Sequence, residues 1–179
     1  MVKNFNESGI TPAVIEKIKK VKILLTDNDG VLTDTGVYYG PEGEVFKKFS
    51  IRDGMGVERL RTLCGIETGI ITGELSESVR KRAEKLKLQH LYLGIKDKKA
   101  VFSDIIAKTG YSYDEIAYIG DDYNDLEVIE LAGLTASPGD ALPFIRSKVD
   151  YVCDNYGGHG AVREFAELII YYKTSEKGI

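Results

Sequence analysis

The sequence predicts an α/β fold, a three-layer doubly wound (Rossmann-like) parallel sheet that carries a small β-hairpin insertion. Short β-rich apolar runs alternate with helical patterns along almost the whole chain, as expected for parallel strands joined by helices. Polar residues follow several of these runs, where such folds place their sites. At 179 residues the chain suits one domain over residues 1–179, with a hairpin flap at about 36–49.

Apolar runs and turn residues define the first elements. Thr11 and Pro12 suit the N-cap and first turn of a helix that reaches residue 20. The apolar run 21–26 predicts a buried strand. Aromatic and β-branched residues at 36–39 and 44–49 flank the turn sequence Gly-Pro-Glu-Gly, which predicts a hairpin.

The same alternation continues to the C-terminus, where glycines and charged amphipathic patterns separate the apolar runs. The predicted elements are, in order, a helix at 53–64, a strand at 68–72, a helix at 76–87, a strand at 90–93, a helix at 98–109, a strand at 116–119, a helix at 124–131, a strand at 134–136, a helix at 141–147, a strand at 151–152 and a helix at 161–172. Helical connections between apolar strands favour a parallel sheet.

Composition excludes several classes of function. A net charge of −4, from 24 basic and 28 acidic residues, gives no footprint for nucleic acid. No apolar run approaches the roughly 18–20 residues of a membrane span, and the polar stretch 1–9 lacks the apolar core of a signal peptide. Cys64 and Cys153 form no CxxC, so we expect a reducing, cytoplasmic environment. With two histidines in the chain, the chemistry must rest mainly on carboxylates.

Acidic, hydroxyl and ammonium groups follow the predicted strands at the edge where a doubly wound sheet binds its ligand. They are Asp27 and Asp29 after the first parallel strand, Thr72 and Glu74 (with Gly73 between them) at the end of the second, Lys96, Asp97 and Lys98 after the third, and Asp121, Asp122 and Asp125 after the fourth. A single Asp after a strand is usually a turn former. A cluster of carboxylates repels itself unless a cation relieves it, and oxygen ligands favour Mg²⁺.

Mg²⁺ beside a lysine and a threonine hydroxyl forms a set of groups that handles phosphate, and an aspartate can attack phosphorus covalently. The chain has no GxxxxGK[ST] sequence, which excludes a nucleotide P-loop. A signalling receiver domain uses similar groups, but its phospho-accepting aspartate lies on a middle strand. Here the order is Asp-x-Asp, Thr, Lys and Asp-Asp, which disfavours the receiver.

That order resembles the haloacid dehalogenase superfamily of phosphohydrolases, whose four motifs match as DNDGVLTD, ITG, KDKK and GDDYND. The resemblance implies that Asp27 is the nucleophile and Asp29 the general acid and base. It implies that Thr72 hydrogen-bonds a phosphoryl oxygen. Lys98, preferred over Lys96 because it opens a helix at the strand end, would neutralise phosphoryl charge and hold Asp27.

The same resemblance implies the metal ligands. Asp121 would bind Mg²⁺ together with Asp27 and the main-chain carbonyl of Asp29. Asp122 or Asp125 would support the site, either through water on the metal or by orienting Lys98.

Most members of this superfamily carry an inserted cap domain, which this chain has no room for. Asp27 and Thr72 are 45 positions apart, and Thr72 and Lys98 are 26 apart. Because an open phosphoenzyme site would be unselective, we expect a neighbouring subunit to close it. The hairpin carries apolar and aromatic residues that a monomer would expose, which predicts a homo-oligomer assembled through the hairpins.

Without a cap, the chain resembles the 3-deoxy-D-manno-octulosonate 8-phosphate phosphatase clade over residues 22–170. The matching pieces include FSIRDGMGVERL, YLGIKDKKAVFSDI and GGHGAVREFAE. Members are typically Mg²⁺-dependent homotetramers in which neighbouring subunits close each site. The GGHGAVRE segment with Arg163 resembles the mobile C-terminal segment of the clade. The alternative is a loop followed by a helix N-terminus.

The resemblance leaves the sugar acid open. The eight-carbon enzymes usually have Arg directly after ITG, whereas this chain has Glu74, with Lys85 on the same helix. That pair resembles the branch acting on nine-carbon acids, such as 2-keto-3-deoxynononate or N-acylneuraminate 9-phosphate, and this resemblance favours a nine-carbon substrate. Lys85 could equally belong to a solvated face.

Further substrate-contact candidates are Gly73, Arg52, Arg163 and Asp53, with helix capping as the alternative for Asp53. Two other functions remain open: a non-catalytic oligomerisation module of a sugar-activating system, and a broad-range sugar phosphatase. The presence of both Asp27 and Asp29 favours catalysis.

Overall fold

A computed structural model describes residues 5–7 and 9–175, so the polar stretch 1–9 lies partly outside the described residues. In chain order the elements are α1 (Pro12–Lys20), β1 (Ile23–Thr26), β2 (Tyr38–Gly40), β3 (Gly43–Phe46), α2 (Ile51–Cys64), β4 (Glu67–Ile71), α3 (Glu77–Leu86), β5 (His90–Tyr92), α4 (Lys98–Thr109), β6 (Ile116–Ile119), α5 (Leu126–Ile129), β7 (Leu134–Ser137), α6 (Pro143–Arg146), β8 (Tyr151–Val152) and α7 (Ala161–Ser175).

Six strands form one parallel sheet in the order β5-β4-β1-β6-β7-β8, which confirms the predicted doubly wound fold. From β1 the chain first adds β4 and β5 on one side and then crosses to add β6, β7 and β8 on the other. The strand order therefore reverses beside β1. Ligands of such sheets bind outside the carboxyl ends of the strands at this point.

The two faces of the sheet are buried by different helices, because side chains alternate along each strand. Leu24 of β1 packs into the cluster that holds Leu60 of α2 and Phe165 of α7. Its neighbour Leu25 packs into the opposite cluster with Phe102 of α4. This arrangement gives three layers and fixes the direction of each residue that follows β1.

At two of the helix starts that differ from the sequence prediction, side-chain hydrogen bonds explain the difference. Helix α2 begins at Ile51, two residues before the predicted start, because the Ser50 hydroxyl accepts hydrogen bonds from the amides of Arg52 and Asp53. The predicted helix 124–131 is instead a 3-10 turn at Tyr123–Asp125 followed by the short α5. The Asp125 carboxylate turns back to the backbone there and tightens the chain.

The hairpin β2–β3 is shorter than the predicted 36–49 and forms a two-stranded sheet separate from the main one. Tyr38 and Phe46 stack across it with ring centroids 4.7 Å apart. Tyr39 is 74% exposed and Val45 57% exposed. From β1 to α4 the chain forms this hairpin, α2, β4, α3 and β5, so no cap domain stands in that interval. Among the described helices, none has the length and apolar character needed to span a membrane.

Candidate active site

A cleft of about 270 Å³ opens at the carboxyl ends of β1, β4 and β6. Seven of the residues singled out from the sequence line it: Asp27, Asp29, Thr72, Gly73, Glu74, Asp121 and Asp122. Residues up to 95 positions apart are therefore brought together at one sheet edge, because parallel strands all end there.

Asp27 extends β1 by one residue and lies at the floor of the cleft. Its backbone amide continues the sheet pairing to the Ile119 carbonyl at 3.0 Å. Its Oδ1 accepts the Asn28 amide at 2.7 Å and the Lys98 ammonium at 2.9 Å. The backbone and the ion pair thus fix a carboxylate that is almost completely buried.

Lys98 is the first residue of α4, a helix start that Asp97 caps through the Ala100 amide at 2.9 Å. Its Nζ lies 2.9 Å from Asp27 and 2.7 Å from Asp125. Burial disfavours the ammonium, but the two carboxylates outweigh that effect and raise the pKa of Lys98. Lys96 is exposed, so the structure places Lys98 beside the nucleophile candidate.

Asp125 anchors the fourth motif. Its Oδ2 accepts the amides of Asp121 at 2.9 Å and Asp122 at 3.3 Å, and its Oδ1 accepts the Tyr118 hydroxyl at 2.5 Å and Lys98 at 2.7 Å. Asp122 is exposed and accepts the Tyr123 amide at 2.6 Å. Of the two candidates for orienting Lys98, Asp125 is therefore the one in contact with it.

A cation would fit between Asp27, Asp121 and Asp125. One carboxylate oxygen from each lies within 4.8 Å of the others, and Asp121 Oδ1 is buried with no hydrogen-bond partner among the described residues. Burial and the neighbouring carboxylates raise the pKa of Asp27 to about 7 and that of Asp121 to about 8. An all-oxygen donor set in need of positive charge suits Mg²⁺.

Gly30 allows the close approach of the first and fourth motifs. It has a φ of 82°, and a Cβ atom there would lie 2.0 Å from Asp121 Oδ2. A side chain at this position would thus displace Asp121 as well as strain the backbone. The glycine of the Asp-x-Asp-Gly motif is required on both counts.

Asp29 lies at the cleft wall and is held from the hairpin side. Its Oδ1 accepts Lys47 Nζ at 2.6 Å and lies 3.4 Å from the Thr33 hydroxyl. Its Oδ2 is buried and has no hydrogen-bond partner among the described residues. Sequence reasoning missed Lys47, because nothing local distinguishes it from Lys48.

Thr72 and Glu74 line the opposite side of the cleft. The Thr72 hydroxyl accepts the Glu74 amide at 3.2 Å, which tightens the turn after β4. Thr72 is buried at the cleft floor, whereas the Glu74 side chain is exposed at the rim.

Three predicted substrate contacts do not line the cleft of their own chain. Lys85 is exposed near the end of α3, and Arg52 is exposed at the start of α2. Arg163 on α7 forms an ion pair with Glu167 at 2.8 Å. A neighbouring subunit would be needed to bring these groups to a site.

Asp53 caps a helix, which is the alternative that the sequence left open for it, but the helix is α7 and not its own helix α2. It is buried and accepts the amides of Gly160 at 3.2 Å and Arg163 at 2.9 Å. It therefore caps α7 from a different helix, while Ser50 caps its own helix α2. This arrangement does not leave Asp53 free for a substrate.

The glycine-rich segment before α7 packs against the loop that carries Asp27 and Asp29. The Gly158 amide donates to the Val31 carbonyl at 2.9 Å, and a Cβ at Gly157 would lie 1.9 Å from the Gly30 carbonyl oxygen. The described segment is thus a packed loop that leads into a helix N-terminus. Its glycines permit the contact with the first motif.

The comparisons with known proteins agree with this geometry. A family profile described as haloacid dehalogenase-like hydrolase matches residues 93–165, which contain Lys98 and the fourth motif. The parallel sheet and its cluster of carboxylates around a lysine define the same class, a haloacid dehalogenase-like hydrolase.

Full-length relatives narrow the class. The 3-deoxy-D-manno-octulosonate 8-phosphate phosphatase KdsC of Salmonella typhimurium is 39% identical over 161 residues, covering 90% of this chain and 85% of the relative. The chain therefore belongs to the 3-deoxy-D-manno-octulosonate 8-phosphate phosphatase family, and it is an enzyme of the phosphatase class. This confirms the resemblance drawn from the four motifs.

Two solved structures match along nearly the whole chain. The enzyme of that name from Yersinia pestis superposes with a TM-score of 0.89 at 33% identity, covering 99% of this chain and 97% of the other. The Moraxella catarrhalis enzyme superposes with a TM-score of 0.88 at 35% identity, covering 94% and 97%. The latter was solved in complex with a magnesium ion, a phosphate ion and the sugar acid KDO.

Proposed function

We propose that this phosphatase hydrolyses 3-deoxy-D-manno-octulosonate 8-phosphate, with Mg²⁺ bound, through an aspartyl-phosphate on Asp27. The observation that carries the proposal is the contact of Asp27 with Lys98 at 2.9 Å on the floor of the cleft. The named activity of the relatives supports the choice of substrate. That activity would serve the biosynthesis of lipopolysaccharide sugars, and the chain would work in the cytoplasm.

Asp27 supplies the nucleophile and Asp29 the proton. A carboxylate oxygen of Asp27 attacks phosphorus, and the bond from phosphorus to the sugar oxygen breaks while Asp29 donates a proton to that oxygen. Asp29 then removes a proton from water, which attacks the phosphorus of the aspartyl-phosphate. Inorganic phosphate leaves and both carboxyl groups return to their starting states.

Lys98 and Thr72 hold the reacting groups. Lys98 keeps the Asp27 carboxylate in place and offsets phosphoryl charge, while Asp125 keeps Lys98 in place at 2.7 Å. The Thr72 hydroxyl at the cleft floor hydrogen-bonds a phosphoryl oxygen.

Asp27, Asp121 and the main-chain carbonyl of Asp29 would hold Mg²⁺, with Asp125 beside them. When bound, the metal offsets negative charge on the phosphoryl oxygens. The unpartnered oxygen of Asp121 is the observation in this chain that favours such a cation.

A nine-carbon sugar acid phosphate is the second candidate substrate. Glu74 at the cleft rim favours it, since a carboxylate there can accept hydrogen bonds from the hydroxyls of a longer sugar. Lys85 does not line this cleft, so its part in substrate choice depends on a neighbouring subunit. We propose a homotetramer assembled through the hairpins, in which such a neighbour closes each site.

The test is a phosphate-release assay of the whole chain. It compares 3-deoxy-D-manno-octulosonate 8-phosphate with 2-keto-3-deoxynononate and N-acetylneuraminate 9-phosphates, and uses glycolytic sugar phosphates as controls. We expect the highest kcat/KM with the eight-carbon acid, and loss of release with EDTA that excess Mg²⁺ restores. Faster phosphate release from a nine-carbon acid phosphate would show that this ester is the substrate instead. Equal rates on all esters would indicate a broad-range phosphatase. No release from any ester would favour the non-catalytic module.

A further inference from the structure

Lys47 is a buried cation at the base of an exposed hairpin. It follows β3 directly, yet its side chain is 3% exposed, whereas Val45 and Phe46 just before it are more than half exposed. A lysine rarely loses its contact with water unless carboxylates compensate it. The side chain therefore turns back from the hairpin toward its own chain.

Two carboxylates compensate Lys47. Its Nζ lies 2.6 Å from Asp29 Oδ1 and 2.8 Å from Glu44 Oε2. The other oxygen of Glu44 accepts the hydroxyl of Ser76 at 2.8 Å, just before α3. Lys47 and Glu44 thus connect the hairpin with the loop after β1 and with the segment after β4, which form two walls of the cleft.

The contact leaves the two oxygens of Asp29 unequal. Oδ1 is taken by Lys47 and lies near Thr33, while Oδ2 has no hydrogen-bond partner among the described residues. Asp29 lines the cleft, but Lys47 does not. Lys47 is therefore placed to hold the carboxylate without touching the substrate.

We infer that Lys47 is a positioning residue, which holds the Asp29 carboxylate at the cleft wall for proton transfer to the leaving-group oxygen. The inference rests on the proposed function, in which Asp29 gives that proton as the bond to phosphorus breaks. Glu44 shares the ammonium and fixes its direction. A misplacement of about 1 Å at a reacting group can lower a rate by about 100-fold, so a loosened Asp29 would slow the step in which the leaving group departs.

The test compares two esters that differ in their need for an acid. The alkoxide of 3-deoxy-D-manno-octulosonate 8-phosphate must be protonated as it leaves, whereas p-nitrophenolate leaves without a proton. Single-turnover rates, measured with the enzyme at saturating concentration and in excess over the ester, report departure of the leaving group without the later hydrolysis of the aspartyl-phosphate. Lys47→Met should lower the rate with the sugar phosphate by about 10- to 100-fold and leave the rate with p-nitrophenyl phosphate nearly unchanged.

Three other variants complete the experiment. Asp29→Asn gives the reference pattern for a lost acid. Lys47→Arg should restore a large part of the sugar phosphate rate, since a guanidinium can reach the same two carboxylates. Lys48→Met is the matched control. Lys48 is next to Lys47 in the chain but forms an ion pair with Asp34, and neither Lys48 nor Asp34 lines the cleft. Loss of Lys48 should leave both rates unchanged.

Two results would overturn the inference. If Lys47→Met lowers the rates with both esters equally, the role of Lys47 is structural. If the rate with the sugar phosphate is unchanged, Lys47 has no role in the reaction. If Lys47→Met does not fold, Lys47→Gln keeps a polar side chain of similar length and is measured instead. A wild-type protein that hydrolyses neither ester would overturn the proposed function itself, which distinguishes the two failures.

Discussion

The sheet edge that carries Asp27, Lys98 and Asp125, called the catalytic edge below, and the hairpin β2–β3 differ from ordinary protein surfaces in opposite ways. At the edge, charged groups are buried: Asp125 is 0% exposed and Lys98 4%. On the hairpin, apolar groups are exposed, with Tyr39 at 74% and Val45 at 57%. Charged residues are rarely buried without partners, and clusters of exposed apolar residues usually mark an interaction surface.

The chain's own residues compensate the buried charges of the edge and the exposed apolar groups of the hairpin to different extents. At the edge, Lys98 and the hydroxyl of Tyr118 offset part of the carboxylate charge, and Asp121 Oδ1 still lacks a partner among the described residues. On the hairpin the stacking of Tyr38 on Phe46 covers one pair of rings and leaves the rest exposed. The edge thus keeps an unpartnered carboxylate oxygen that a cation would satisfy, whereas the hairpin keeps exposed apolar side chains that the proposed neighbouring subunit would cover.

The largest expected effect comes from Asp27→Asn. The amide cannot form an aspartyl-phosphate, so phosphate release should fall by about 10⁴-fold or more, as when a covalent nucleophile is removed. Assembly should persist, because the hairpin is unchanged. Phosphate release and sedimentation measure the two properties on one sample, and full turnover by this variant would exclude Asp27 as the nucleophile.

The next effect is on stability. Lys98→Met leaves Asp27 and Asp125 without their ammonium in a buried site, and removal of one partner from a buried ion pair costs about 3–5 kcal/mol. Urea unfolding in EDTA should show a lower midpoint with an unchanged m-value. Lys96→Met, at an exposed lysine two residues earlier, is the matched control and should match the wild type. An unchanged midpoint for Lys98→Met would mean that the edge does not depend on this charge.

A substitution on the hairpin should instead change the self-association of the chain. Val45→Lys places a charge on the exposed apolar surface and should raise the dissociation constant of self-association by about 10- to 100-fold, or about 1.4–2.8 kcal/mol. Val152→Lys on edge strand β8, at a valine that is 37% exposed, is the control and should leave assembly unchanged. Sedimentation velocity measures both. A wild-type monomer at micromolar concentration would contradict the role given to the hairpin.

The sequence predicted the carboxylates of the edge because two local rules determine them. Apolar runs mark the strands, and parallel strands place their following residues at one edge. Asp27, Thr72 and Asp121 needed no more than this to be found. The family resemblance then assigned their roles, and Lys98 over Lys96 followed from its place at a helix start.

Tyr118 and Lys47 could not be found in this way, since their roles depend on contacts made across the fold. Tyr118 fits the apolar pattern of β6, and the Asp125 carboxylate turns back to meet its hydroxyl. Lys47 is next to another lysine, and the path of the hairpin alone decides which of the two reaches Asp29. The sequence left a substrate contact and helix capping both open for Asp53, and it could not show that the capped helix is the distant α7.

The smallest expected effect concerns pH and the metal. Without a cation, burial and neighbouring carboxylates raise the pKa of Asp27 to about 7 and that of Asp121 to about 8. An acid whose pKa is higher in the folded chain binds its proton more tightly there, so its contribution to stability is lost as the pH rises through the folded pKa. The chelated protein should therefore lose stability from about pH 5 to pH 8.

Mg²⁺ binds the deprotonated carboxylates, so its stabilising effect should grow over the same range. The difference in Tm between samples with excess Mg²⁺ and with EDTA should be larger at pH 8 than at pH 6, by about 2–4 °C for each kcal/mol gained. Asp121→Asn, which removes one of the two titrating carboxylates, should flatten this dependence, whereas Val45→Lys should leave it unchanged. An equal Mg²⁺ effect at both pH values would mean that the buried carboxylates are already paired within the chain. The carboxylates of the edge would then not depend on a cation for their stability, and in this respect the edge would not differ from the hairpin.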